Sequence, residues 1–154
     1  MRVHIGTDHA GFELKNRLIE VLCSKGHEVT DHGAFEYDAV DDYPPFCTDT
    51  GEAVVADPGS LGIVLGGSGN GEQIAANKVK GVRAALVWNE DTARLAREHN
   101  NANVISVGAR QHSEEELIEL IDHFLAEPFP GDERHVRRIN RIAEYETTGG
   151  YAQR

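Results

Sequence analysis

The sequence predicts a three-layer, doubly wound (Rossmann-like) α/β domain: five parallel strands with helices on both faces. Three observations predict it. Short apolar runs rich in β-branched residues alternate with longer amphipathic segments through the chain. Glycine and proline breakers fall between them. A glycine-rich turn joins one wholly apolar run to a helix start, a junction typical of strand–helix units.

The predicted strands are Val3–Gly6, Glu28–Asp31, Leu61–Leu65, Ala84–Val87 and Val104–Val107. They are too short for helices and favour extended backbone. The predicted helices are Phe12–Lys25, Pro45–Ala56, Ile74–Lys78, Asp91–Asn100 and Glu114–Ala126. In the first, Phe12, Leu14, Leu18, Ile19 and Leu22 share a broad face, while Glu13, Lys15, Asn16 and Glu20 cover the rest. Lys25-Gly26 stops that helix, and Tyr43-Pro44-Pro45 starts the second after an acidic loop from Glu36 to Asp42. Pro128-Phe129-Pro130-Gly131-Asp132 ends the fifth and launches a last helix over Glu133–Tyr145. Residues 1–146 make one domain, and 147–154 a tail that is flexible or held by a neighbour.

With 40% apolar and 27% charged residues, a 154-residue chain can bury one sizeable core, which excludes a disordered or fibrous protein. A net charge of −11 repels nucleic acid and anionic membrane, so a phosphate-bearing ligand needs a local basic pocket. Cys23 and Cys47 make no disulfide framework and no zinc pair, and neither is expected beside the glycine turn. The first residues read as a strand rather than a signal peptide, and no run of about 18 apolar residues exists. The expected location is cytoplasmic.

The most informative segment runs from Gly62 to Lys78. Its turn, Gly66-Gly67-Ser68-Gly69-Asn70-Gly71, lets backbone N–H groups converge on an anion at a helix start. A dinucleotide fingerprint from Gly67 needs glycine at position 72, and a P-loop from Gly66 needs lysine there; the residue is Glu72. Glu72 is either a first-turn glutamate that complements the helix dipole, worth about 0.3–1 kcal/mol, or a general base beside backbone donors. In the second case the donors would stabilise an enediolate, each by roughly 3–4 kcal/mol. Ser68 either joins them or bonds its own turn.

Thr7-Asp8-His9 follows the first strand, so Asp8 and His9 share the crevice at the strand ends with the glycine turn. Asp8 as a helix cap is the alternative reading. Arg134, Arg137, Arg138 and Arg141 form one stripe on the last helix, with Val136, Ile139, Ile142 and Ala143 opposite and expected to pack. Four arginines on one stripe of an acidic protein suit phosphate, which guanidinium binds bidentately; a solvated face is the alternative. Arg110 follows the fifth strand. His99 and Asn100 end the fourth helix at the strands' amino edge, away from the crevice, so a catalytic His99 would serve a neighbouring subunit. The remaining histidines show no metal-ligand spacing.

Together, Gly6-Thr7-Asp8-His9-Ala10-Gly11, the turn with Ile74-Ala75-Ala76-Asn77-Lys78, Ala96-Arg97-Glu98-His99-Asn100 and Gly108-Ala109-Arg110 resemble the type B ribose-5-phosphate isomerases over nearly the whole chain. In one branch of that family a cysteine ending the third strand is the base; here that position is Gly66. The resemblance is to the other branch, and it implies the following expectations. Glu72 moves a proton between C1 and C2 of ribose 5-phosphate and ribulose 5-phosphate, a step of the pentose phosphate pathway. Gly67, Ser68, Gly69, Asn70 and Gly71 hold the enediolate. His99, assisted by Asp8, opens the sugar ring. His9, Asn100, Arg110, Arg134 and Arg138 bind substrate, the arginines and His9 at its phosphate. No metal or organic cofactor is implied, and the chain forms a homodimer or homotetramer with shared sites. The alternatives are the same chemistry on erythrulose 4-phosphate or allose 6-phosphate, and a non-catalytic phospholigand-binding module.

Overall fold

The computed structural model describes residues 1–153. Five strands, β1 (Arg2–Thr7), β2 (Glu28–Asp31), β3 (Leu61–Gly66), β4 (Ala84–Leu86) and β5 (Val104–Gly108), form one sheet in the order β2-β1-β3-β5-β4. Every pairing is parallel. The connecting helices are α1 (Phe12–Ser24), α2 (Tyr43–Ala56), α3 (Asn70–Ala76), α4 (Glu90–Asn100) and α5 (Glu114–Ala126), with α6 (Glu133–Thr148) last. A 3-10 turn, His9–Gly11, precedes α1.

Two cores flank the sheet because strand side chains alternate between its faces. Val3, Ile5, Ile63, Leu65, Ile105 and Val107 pack with Leu18 and Leu22 of α1, Ala93 and Ala96 of α4, and Leu117, Ile121 and Phe124 of α5. Val64 and Val104 face the other way, onto Cys47 and Val54 of α2 and Ala75 and Ala76 of α3. The strand order reverses between β1 and β3, so the chain leaves their carboxyl ends towards opposite faces and a crevice opens there. Thr7 ties those ends together, its buried hydroxyl donating to the Leu65 carbonyl at 2.9 Å.

Two helices, α3 and α6, differ most from the sequence expectation. Helix α3 begins at Asn70 rather than Ile74, because Gly69 takes the left-handed conformation (φ 81°) and turns the chain directly into the helix. It ends early because the Asn77 side chain leaves the helix pattern and pairs with both backbone groups of Ala84, at 2.8 and 2.9 Å, covering the free edge of β4. The apolar side of α6 packs only in part: Ile139 is half-buried, whereas Val136, Ile142 and Ala143 are exposed, as is Tyr145. This helix runs on to Thr148, and the chain beyond folds back on it, with Arg141 over the Tyr151 ring at 4.7 Å and Ala152 N–H donating to Glu144 at 2.7 Å.

Candidate active site

Glu72 sits in the first turn of α3, buried with 4% exposure. Its side chain folds back beneath β3: a Cβ added at Gly66 would lie 1.7 Å from Oε1. Burial pushes its carboxyl above the usual carboxylate range, and the nearby charge of Asp8 adds to this, while the N–H groups of Glu72 and Gly69 pull the other way. A carboxylate that holds a proton reluctantly in water becomes a stronger base in such a place.

The glycine turn is held from below. The buried Ser106 hydroxyl donates to the Gly69 carbonyl at 2.7 Å, and a Cβ at Gly69 would meet Leu86 at 2.7 Å. Ser68 Oγ accepts from the Asn70 N–H (3.3 Å) and from its side-chain amide (3.2 Å), so the local turn bond is present and the exposed hydroxyl keeps its own proton to donate. Arg110 belongs to the same crevice: its N–H donates to Gly67 O at 3.2 Å, and its guanidinium would lie 3.6 Å from a Cβ at Gly67.

Asp8 is buried and caps the 3-10 turn, accepting from Ala10 N–H at 2.9 Å, so the capping reading holds alongside its place in the crevice. His9 turns its Nδ1 to Asp41 Oδ1 at 2.7 Å. Asp8, His9 and Asp41 each offer a ligand atom within 4.8 Å of the others, enough to hold a small cation at the cost of the His9–Asp41 bond. Asp8, His9, the turn, Glu72 and Arg110 thus form one group at the carboxyl edge.

His99, Asn100, Arg134 and Arg138 form no part of it. Helix α4 runs from the carboxyl to the amino edge, and His99 in its last turn stacks on His135 of α6, ring centroids 4.3 Å apart. Arg134 Nε reaches His135 Nε2 at 3.2 Å. Burial and the charges of His99, Arg134 and Arg138 disfavour protonation of His135. The α4 terminus is clamped: Arg83 donates to the carbonyls of Asn100 (3.0 Å) and Asn101 (2.8 Å), and Arg97 to that of Ala102 (2.6 Å). These guanidiniums offset the negative end of the helix. Arg138 is exposed on α6.

Sequence reasoning missed three residues. Asp41 was indistinguishable from its acidic neighbours in the loop. Tyr43 packs over the turn, and a Cβ at Gly71 would lie 2.5 Å from its ring, so the glycine was the only hint of it. His135 was read only as a histidine without metal-ligand spacing, and its burial against His99 had no signal in the sequence. Cys47 lies nearer the site than expected, close enough to feel Glu72 and Asp8. It remains unsuited to nucleophilic work, because burial and both carboxylates push its thiol far above the usual range.

The sequence model of the family described as Ribose/Galactose Isomerase matches residues 3–142. Ribose-5-phosphate isomerase B of Mycobacterium tuberculosis (strain ATCC 25618 / H37Rv) is 60% identical over 148 residues, 96% of this chain and 91% of that protein. The structure of Clostridium thermocellum ribose-5-phosphate isomerase B superposes with a TM-score of 0.92 at 39% identity, covering 97% of this chain and 100% of the other. That of Mycoplasma genitalium ribose-5-phosphate isomerase B with bound ribulose-5-phosphate gives 0.91 at 43% identity, covering 96% and 97%.

Proposed function

We infer the reaction from one premise: the chain belongs to the ribose/galactose isomerase family. It is an aldose–ketose isomerase that interconverts D-ribose 5-phosphate and D-ribulose 5-phosphate. The observation that carries the mechanism is the buried carboxylate of Glu72 directly after the glycine turn.

In the open-chain aldose, Glu72 takes the proton from C2, and the electron pair forms the C1–C2 double bond of an enediolate. The charge develops on oxygen beside the turn, where the N–H groups of Gly67 to Gly71 and the Ser68 hydroxyl lie. Glu72 returns the proton to C1, and the hydroxyl proton passes from O2 to O1, leaving the ketose. A donor set fixed before reaction needs no reorganisation as charge appears. Arg110 and His9 hold the phosphate at the same edge, with Arg134 and Arg138 supplied by another copy.

Position supports that last assignment. His99 with Asn100 and the α6 arginines lie apart from Glu72 in one chain, while α6 leaves Val136, Ile142 and Tyr145 exposed. A second copy seated on this helix would bury those side chains and bring His99 into the crevice as the ring-opening group, beside Asp8. The assembly is therefore a homodimer, or a tetramer built from such pairs, with sites shared between subunits. Among the described residues no helix is long and apolar enough to cross a membrane. The pathway is the pentose phosphate pathway.

The test is the initial rate on ribose 5-phosphate, erythrulose 4-phosphate and allose 6-phosphate. The highest kcat/KM on ribose 5-phosphate supports the assignment. Preference for another of the three moves the substrate and keeps the chemistry.

A further inference from the structure

The acidic loop between β2 and α2 has no part in the proton transfer, yet one of its carboxylates is turned inward. Asp38 and Asp42 are exposed, whereas the Asp41 side chain keeps 12% of its surface. Its Oδ1 accepts twice from His9, from the backbone N–H at 2.9 Å and from ring Nδ1 at 2.7 Å. Its Oδ2 is buried without a hydrogen-bond partner. Burying a carboxylate oxygen in that way is unfavourable, so the contact with His9 is what the loop conformation secures.

The loop itself is anchored. The fully buried Lys15 ammonium bonds Asp31 Oδ2 at 2.6 Å and the Ala34 carbonyl at 2.7 Å. Asp31 Oδ1 accepts from Gly33 N–H at 2.8 Å. Further on, Tyr37 stands edge-on to His9, centroids 6.4 Å apart. Asp8 cannot replace Asp41, because its Oδ2 lies 3.9 Å from His9 Nδ1, beyond hydrogen-bonding distance, and its Oδ1 is taken by Ala10.

We propose that Asp41 is a positioning residue: it fixes the ring of His9 so that Nε2 is the nitrogen left for the substrate phosphate. A carboxylate oxygen can only accept, so Nδ1 carries the hydrogen of this bond. The ring borders a cavity that Ala10, Tyr37 and Ala109 also line, with Glu13 and Glu114 on its wall; Ala10 and the Arg110 guanidinium both approach Gly67. On this proposal His9 and Arg110 hold one anion on the Gly67 side of Ala10, with the loop deciding the angle of the imidazole. This inference rests on the reading of His9 as a phosphate-binding residue.

The experiment compares His9→Gln, Asp41→Ala, Asp41→Asn and the double variant His9→Gln/Asp41→Ala in the full chain, with melting temperatures alongside. Asp41→Ala should raise KM for ribose 5-phosphate and Ki for inorganic phosphate by about tenfold, the loss of one charge-assisted bond, with kcat nearly unchanged. Asp41→Asn keeps an accepting oxygen and should lose less. In the His9→Gln background, removing Asp41 should raise neither constant further. An Asp41 effect that persists undiminished without His9, or a normal KM in Asp41→Ala while His9→Gln raises it, overturns the inference. A normal KM in His9→Gln instead overturns the reading of His9 itself.

Discussion

The carboxylate of Glu72 occupies the space that a side chain at Gly66 would need, since Oε1 lies 1.7 Å from where a Cβ at Gly66 would stand. The end of β3 and the first turn of α3 therefore offer one room for one reactive side chain. A residue with a side chain at position 66 and a glutamate at 72 in this conformation exclude each other. This accounts physically for glycine at position 66 in a chain whose proposed base is Glu72.

Gly66→Ala should displace Glu72 and lower kcat by about 100-fold or more, the scale of a lost general base. Overpacking should also destabilise the fold by about 1–3 kcal/mol. Adding Glu72→Ala should recover stability and leave activity lost. Steady-state kinetics and thermal melts of the two variants check this; a normal kcat in Gly66→Ala would mean that Glu72 is not confined as described.

Charge-bearing Glu72 should cost stability. Its folded-state pKa is raised by burial, so the folded chain holds the proton more tightly than the unfolded chain. Its favourable contribution is present below the unfolded value of about 4.3 and is lost as pH rises through the folded value. Glu72→Gln should therefore be more stable than the wild type at pH 7, within the range of about 0.5–2 kcal/mol common for stabilising substitutions. The gain should shrink towards acid, and denaturant melts at pH 4 and pH 7 measure it.

Mixing Glu72→Gln subunits with His99→Asn subunits tests the shared site. Each pair of unlike chains contains one site with both defects and one with neither. A random 1:1 mixture, unfolded and refolded together, should regain about a quarter of wild-type activity, since half the pairs are mixed. Activity no higher than that of the parents would place His99 and Glu72 in the same chain's site.

Arg138→Ala should raise KM by about tenfold, as expected for one guanidinium–phosphate contact. Its melting temperature should stay near the wild-type value, because Arg138 is exposed and makes no bond within the chain among the described residues. A large fall in melting temperature with KM unchanged would make the stripe structural.

The strands and the crevice were legible because both follow from short-range signals. Apolar runs mark β1 to β5, and the glycine turn after β3 marks the point opposite Asp8 and His9. What was not legible depends on distance through space. Asp41 differs from Asp38 and Asp42 only because the loop brings it to His9. Tyr43 reaches Gly71 only through the packing of α2 on α3. The apolar side of α6 reads in sequence like any core-facing helix, yet Val136 and Ile142 are only partly covered within the chain. Periodicity shows that a face wants burial and is silent on which chain supplies it.

The most direct measurement of the central claim is kcat for Glu72→Gln on ribose 5-phosphate, with exchange of the C2 hydrogen into solvent followed in parallel. With Glu72 as the base, kcat and exchange fall together by about 10²–10⁴-fold while KM stays within a few-fold of the wild type. A variant that turns over at a near-normal rate, or that still exchanges the C2 hydrogen rapidly, would contradict the assignment of Glu72 as the group that moves the proton.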